Sequence, residues 1–495
     1  MISNLTPEQL ARDGRMADLE LLPDESKWIE KHLKLDLLPF WNNPAALGNP
    51  IGNFPTLRLN DGSLPTGPKD PRLNGLDTNL VIPEQEYVRS RSRQTYAYGV
   101  AYHLTGVENY LHYCKAGVDF LRANALDPQT PLCTKSAFTY YDTSKNIWEP
   151  PIAERTSQDL SYSLMGLAMY YYLTRDEDVL TDIISVKDYI FQNYYDDELE
   201  WLKWDLQTPG ITENYRMELV AVLDQISAYM ALITPCLPQN HKSKWLEDLS
   251  KFMSRVVRHF YSERCDLFWG RIDKTEFKKY GQRHVDFGHT IKAFWMAYKV
   301  GNLLEDSALI NFARDGAAKV IDMAYLPPDS HNSWGSWARA FKSNGNIDAR
   351  KEWWIYAELD QMTANLALND PVYIDILINT YNYWMEYMVD HKDKEVWHMV
   401  RADNTPDMTL PKQHIWKNAF HSFEHTLVGY ICSQQFLNKA VSLHFAFNQA
   451  NVPPRSKILA YNFDGKIRSV VNNGNVILNP KNTNIMEKYI FRDIK

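Results

Sequence analysis

From about residue 25 to about residue 435, apolar positions recur with the 3.6-residue period of an α-helix. The pattern predicts about twelve helices, usually in pairs joined by short turns. "QTYAYGVAYHLTG" ends on Gly106 and "VENYLHYCKAGVDFLRAN" follows at once. "SQDLSYSLMGLAMYYYLTRDEDVL" and "TDIISVKDYIFQNYY" form the next pair, and "NYRMELVAVLDQISAYMALIT" leads to "KWLEDLSKFMSRVVRHFY". "VDFGHTIKAFWMAY" precedes "SALINFARDGAAKVIDMAY"; "KEWWIYAELDQMTANLAL" precedes "VYIDILINTYNYWMEYMV"; "NAFHSFEHTLVGYICSQ" comes last. In several pairs one helix is apolar on most faces and its partner is amphipathic. The first kind has to be buried on two sides and the second on one. An all-α fold, an (α/α)6 barrel with inner helices wrapped by outer ones, satisfies both patterns. A stacked solenoid ranks lower, because no fixed repeat of about 34–45 residues is visible.

Two regions break the helical period. "NPIGNFPTLRLNDGSLP" carries Asn-Asp-Gly turn chemistry and predicts a strand and turn. After the helices, residues 437–495 alternate around Asp464-Gly465 and Asn473-Gly474, which predicts short β-hairpins. The expected organisation is an N-terminal extension (1–24), a helical barrel (25–436) and a β-containing C-terminal extension (437–495).

With 495 residues and a formal net charge of −8, the chain offers little to nucleic acid or to an anionic membrane. Its five cysteines lie far apart, with no CxxC or Cys/His cluster, so neither a zinc site nor a disulfide framework is expected. The first residues lack a basic segment followed by an apolar one, and no run of eighteen apolar residues is free of charge. The expected location is cytoplasmic. Aromatic side chains make up 13% of the chain, enough to stack on sugar faces but equally suited to filling a large helical core.

Four polar groups sit where inner helices would aim them at a barrel axis: Arg93, His289, Glu358 and His421. Each has an ordinary reading as well. Arg93 follows Arg89 and Arg91 and suits an exposed helix start; Glu358 suits a surface ion pair; either histidine suits a satisfied core position. Trp353, Trp354 and Trp416 are candidates for sugar stacking or for core.

Taken together, these segments resemble the N-acylglucosamine 2-epimerase superfamily, which includes cellobiose 2-epimerases and aldose–ketose isomerases. "GNFPTLRLNDGS" resembles the family's GGFxxxLDxDG segment, "RQTYAYGVAY" its R-x-x-W-x-F-S helix, and "FGHTIKAFW" its G-H-x-I-E-x-x-W segment. "DLSYSLMGLAMYYYLTRD" resembles a following inner helix, "KEWWIYAE" the K-x-W-W-x-Q-A-E signature, and "WKNAFHS" the W-K-x-x-Y-H segment. The matches keep family order over residues from about 35 to 435. The resemblance implies that His289 and His421 flank C2 of an open-chain sugar as acid and base, with Arg93 as the cation for the enediolate oxygen. Two bases suit the chemistry, since inverting C2 removes a proton from one face of a planar intermediate and returns it to the other. Imidazole, with an ordinary pKa of about 6.5, has both forms accessible near neutrality. The resemblance implies no cofactor and no metal. It implies a small-molecule carbohydrate as partner, with no nucleic acid and no membrane; a homodimer is the assembly entertained.

Four positions depart from the family. Lys292 replaces the glutamate one turn after the first histidine, leaving Asp286 as the carboxylate available to orient His289. Glu424 replaces the arginine after the second histidine, and Tyr356 replaces the glutamine of the signature. No histidine matches the family's third; Glu218 or Asp224 falls near its place, and Asp224 lies on an apolar stripe that would face inward. The reversed charges at Lys292 and Glu424 suggest a partnered exchange between the two. The expected substrate contacts are Glu358, Trp354, Tyr356, Asp224, Lys292 and Glu424. Two alternatives stand beside the epimerase reading. One is a glycoside hydrolase using paired carboxylates among Asp286, Glu358, Asp360 and Glu424; the other is a sugar-binding protein without turnover.

Overall fold

The computed structural model describes residues 19–83, 85–125, 138–142, 147–149, 156–206, 217–272, 278–330, 332–480 and 482–495. Most of the N-terminal extension therefore lies outside the described residues. The helices, in chain order, are α1 (Ser26–Leu37, continued by Leu38–Trp41), α2 (Val88–Thr105), α3 (Glu108–Asn124), α4 (Ser157–Thr174) and α5 (Glu177–Asn193). They continue with α6 (Leu219–Gln225, running on through Ile233), α7 (Gln239–Phe260), α8 (Phe287–Leu304) and α9 (Ser307–Ala324). The last three are α10 (Trp353–Ala367), α11 (Ile374–Tyr383) and α12 (Phe420–Phe436).

The even-numbered helices are the apolar ones. Every residue of α2 from Val88 to Leu104 and all of α4 are buried. They contact one another in a closed cycle, α2 on α4, α4 on α6, α6 on α8, α8 on α10, α10 on α12, and α12 back on α2. Each carries an amphipathic partner outside: α3 on α2, α5 on α4, α7 on α6, α9 on α8, α11 on α10 and α1 on α12. Polar residues on the inner helices are satisfied locally; Thr95 Oγ1, for instance, donates to Arg91 O at 2.8 Å. The stretch Leu219–Cys236 has the length and apolarity to cross a membrane, but 89% of it is buried inside the fold, with α6 in the inner ring.

Three expectations are corrected. The turn between α4 and α5 falls at Arg175–Asp176 rather than near residue 180, because Asp176 caps α5 by accepting from Asp178 N and Val179 N. The expected early strand shrinks to one bridge, Arg58 to Gln413, while the buried Arg58 guanidinium donates to Phe40 O and Gly62 O. In the C-terminal extension, β1 (Val441–Asn448), β2 (Lys466–Asn479) and β3 (Asn482–Arg492) form one antiparallel sheet in the order β1-β3-β2. Asn473-Gly474 is not a hairpin turn; Gly474, at φ 109°, sits in a register shift within β2. The sheet shares the helices' core: β1 packs on α2 and α4, and Tyr102 OH donates to Phe445 O at 2.9 Å.

Candidate active site

A cleft of about 870 Å³ opens where the inner helices begin. Arg89 and Arg93 of α2, Gln158 and Tyr162 of α4, Asp224 of α6, and His289 and Lys292 of α8 line it. Trp353 and Trp354 of α10 and His421 of α12 complete that wall. All lie in the first two turns of their helices. Six helix N-termini therefore converge on the cleft, each carrying about half a positive charge from its aligned peptide dipoles. A developing anion is favoured there before any side chain is considered.

His289 is fixed by the cap of its own helix. Asp286 caps α8, with Oδ1 accepting from His289 N at 2.7 Å, and Oδ2 lies 2.8 Å from His289 Nδ1. Nδ1–H donates to the carboxylate, leaving Nε2 as the free ring nitrogen. Burial raises the Asp286 carboxyl, but the imidazole and its hydrogen bonds outweigh this and hold it below the ordinary carboxylate value. Asp286 thus fills the orienting position that Lys292 does not. The His289 ring packs edge-on against Trp354 at 4.6 Å, and Trp354 Nε1 donates to Glu352 at 2.8 Å. Gly288 permits this approach, since a Cβ there would lie 2.6 Å from Ile355 and 2.7 Å from the Trp354 ring.

His421 also packs near Trp354, with ring centroids 6.1 Å apart. Its Nε2 is 3.5 Å from Glu358 Oε1. Burial, followed by the charges of Arg93 and Lys292, pushes the His421 imidazole well below its ordinary value, so its resting form is neutral. Burial pushes the Glu358 carboxyl up to about 8, with Glu424 and Asp224 adding to the rise against the opposing pull of Lys292. A neutral imidazole and a proton-bearing carboxyl therefore face each other near pH 7.

Arg93 is buried with its Nη1 donating to Trp416 O at 3.0 Å and its guanidinium 3.8 Å from the Tyr162 ring centre. It forms no ion pair with a carboxylate among the described residues, whereas neighbouring Arg89 is committed to Asp159. Arg93 Nε is buried without a hydrogen-bond partner. Lys292 and Asp224 form an ion pair at 2.6 Å, and Gln158 Nε2 donates to the second Asp224 oxygen at 2.6 Å. Burial raises the Asp224 carboxyl, but Lys292 and Gln158 bring it down to about 2.

Three expected roles change. Lys292 and Glu424 are not partners: Lys292 pairs with Asp224, while Glu424 accepts from Tyr461, from Tyr96 at 3.4 Å and from Gln361 at 3.3 Å. Glu424 lies one turn deeper than His421, beneath the cleft lining rather than in it. Tyr356 also stays out of the cleft. It sits about 200° around α10 from Trp354 and from Glu358, stacks on Tyr383, and donates to Thr380 O at 2.8 Å. Glu358 lies outside the cleft lining, next to His421; Trp354, Asp224 and Lys292 line the cleft.

His284, Tyr162, Gln158 and Glu352 also line the cleft, beyond the residues expected from the sequence. The His284 ring lies 4.7 Å from that of His289, and its backbone takes φ 59°, a left-handed conformation uncommon outside glycine. Burial lowers its imidazole to about 3. Its position five residues ahead of His289, in "RHVDFGH", was the available signal. Among the described residues, no cluster of three or more His, Cys, Asp or Glu side chains could hold a metal.

The sequence model of the N-acylglucosamine 2-epimerase (GlcNAc 2-epimerase) family matches residues 76–420. A cellobiose 2-epimerase from Bacteroides fragilis is 21% identical over 418 residues, covering 81% of this chain and 97% of the relative. Among solved structures, the cellobiose 2-epimerase of Bacillus thermoamylovorans shares the fold with a TM-score of 0.64 at 17% identity, over 81% of this chain and 96% of that one. A D-mannose isomerase structure matches with a TM-score of 0.61 at 13% identity, over 79% and 94% of the two chains.

Proposed function

Since the chain belongs to the N-acylglucosamine 2-epimerase family, we propose that it is a cofactor-independent sugar 2-epimerase or aldose–ketose isomerase that moves a proton at C2 of an open-chain sugar. Its scaffold is an (α/α)6 barrel, a reading supported by the closed cycle of inner helices, each with an outer partner. The observation that carries the chemical proposal is the pair of histidines that both pack near Trp354 and line one cleft.

His289 accepts the proton from C2 at Nε2, and Asp286 stabilises the imidazolium that forms. The electron pair moves into the C1 carbonyl, giving an enediolate whose oxygen lies in the field of Arg93 and of the helix N-termini. For epimerisation, His421 delivers a proton to the opposite face of C2, taking one in turn at Nε2 from Glu358. For isomerisation, the proton goes to C1 instead, and the O2 hydroxyl proton passes to O1, so that C2 becomes the carbonyl. Trp354 and the exposed rim residue Trp416 offer ring faces to the sugar. Cytoplasmic residence belongs to the same proposal and rests on the dispersed cysteines.

The test is NMR in D2O of the protein with mannose, glucose, fructose, N-acetylglucosamine, N-acetylmannosamine and cellobiose. Deuterium at C2 together with a new epimer or ketose is the expected result. Turnover of none of them, with saturable binding of one, would replace the proposal with a sugar-binding role.

A further inference from the structure

The C-terminal extension reaches the site from below. Between β1 and β2 the chain crosses the far ends of α2 and α4, opposite the cleft. Arg175 donates to Lys457 O at 3.2 Å, and Tyr172 OH donates to Leu459 O at 2.8 Å and accepts from Tyr461 N at 2.8 Å. These bonds hold Tyr461 at φ 60°, where a non-glycine residue is strained, with its side chain 3% exposed among the inner helices. Its hydroxyl donates to Glu424 and lies 2.7 Å from Tyr96 OH.

Four inner helices each carry a pair of polar residues spaced one turn apart. Arg93, His289, Glu358 and His421 are followed, three residues on, by Tyr96, Lys292, Gln361 and Glu424. Tyr461 joins Tyr96 and Glu424 from outside the helical cycle. Glu424 is faced by Tyr96 of α2, Lys292 of α8, Gln361 of α10 and Tyr461. Glu358 is faced by Asp224 of α6, Lys292 of α8, and His421 and Glu424 of α12. Around one ammonium, Lys292, stand three carboxyl groups, and Asp224 already pairs with it. A buried group of this charge retains a proton, and hydrogen-bond donors decide which carboxyl goes without it. Both hydroxyls and the Gln361 amide reach Glu424, whereas Glu358 Oε2 is buried with no partner.

We propose that Tyr461 is a positioning residue for His421: by donating to Glu424 it fixes that carboxylate as the anion and leaves the shared proton on Glu358, 3.5 Å from His421 Nε2. This rests on the two-histidine reading of the cleft. The C-terminal extension is then part of the acid–base machinery, coupled to it through one hydroxyl.

The test is Tyr461→Phe in the full chain, read in two ways. In turnover, kcat for C2 exchange falls by about tenfold, a fraction of what losing a general acid costs, KM is unchanged, and the alkaline limb of the kcat profile moves to lower pH. Without sugar, long-range ¹⁵N–¹H NMR shows the His421 Nε2 signal displaced from its wild-type position, an effect that does not depend on turnover. A displaced His421 signal in a protein that turns over no sugar would uphold the coupling while removing the epimerase reading. A lowered melting temperature with the His421 signal and the pH limb at wild-type positions would overturn the proposal, leaving Tyr461 as a plug. Should Tyr461→Phe fail to fold, Glu424→Gln removes the same anion and has to shift the His421 signal; an unmoved signal there would overturn it equally.

Discussion

Single residues set the chemistry of this cleft through their nearest partner. Asp286 both caps α8 and holds His289 Nδ1, so the imidazole's direction is a by-product of starting the helix. Asp286→Asn keeps a capping acceptor but removes the charge opposite the imidazolium. Its kcat is expected to fall by about 10- to 100-fold, against the 10²–10⁴-fold loss expected from His289→Asn. Steady-state kinetics of the two variants with one sugar checks the order. Gly288→Ala inserts a methyl against Ile355 and the Trp354 ring. It is expected to cost about 1–3 kcal/mol in denaturant unfolding and to raise KM as Trp354 moves. That the two histidines and Arg93 share one cleft was legible because their residue types and order follow a family pattern. The fate of Lys292 was not, because charge reversal at two positions says nothing about which third residue lies between. Asp224, on a helix read as apolar, neutralises Lys292, and Tyr461, far along the chain, meets Glu424.

At the scale of elements, periodicity revealed the helical pairs and, in several of them, which member faces inward, since burial on two sides leaves no polar stripe. It missed the α4–α5 turn because the apolar period runs through Arg175 and the Asp176 cap is a local event. It misread Asn473-Gly474 because a bulge and a hairpin turn ask for the same glycine. The cross-link between α6 and α8 carries a prediction of its own. Lys292 and Asp224 are both nearly fully buried, so Asp224→Asn strands an ammonium inside the fold. The expected loss is about 3–5 kcal/mol, measured by denaturant unfolding at neutral pH. Lys292→Met combined with Asp224→Leu is expected to recover most of it.

Across the whole molecule, the cycle of inner helices gathers helix N-termini, the His289 and His421 imidazoles and the Arg93 guanidinium around a space, with buried carboxyl groups close by. That arrangement shapes the pH dependence of stability. Asp224 sits near 2 when folded, against 3.8 when unfolded, so its contribution is full above about pH 4 and is lost as pH falls toward 2. Glu358 has the opposite sign. The folded protein keeps its proton up to about pH 8 while the unfolded chain ionises near 4.5, so stability declines as pH rises between those values. Glu358→Gln is therefore expected to gain in melting temperature relative to wild type between about pH 5 and 8, as scanning calorimetry across that range would show.

The most direct test of the two-histidine account is stereochemical. His421→Asn is incubated in D2O with the sugar that the wild-type protein turns over, and C2 is followed by NMR. With His289 still serving one face, deuterium is expected to enter C2 with the original configuration retained, while the epimer or ketose fails to form. His289→Asn should do the same only from the opposite epimer. Product formation at the wild-type rate in either variant would contradict the assignment of one histidine to each face.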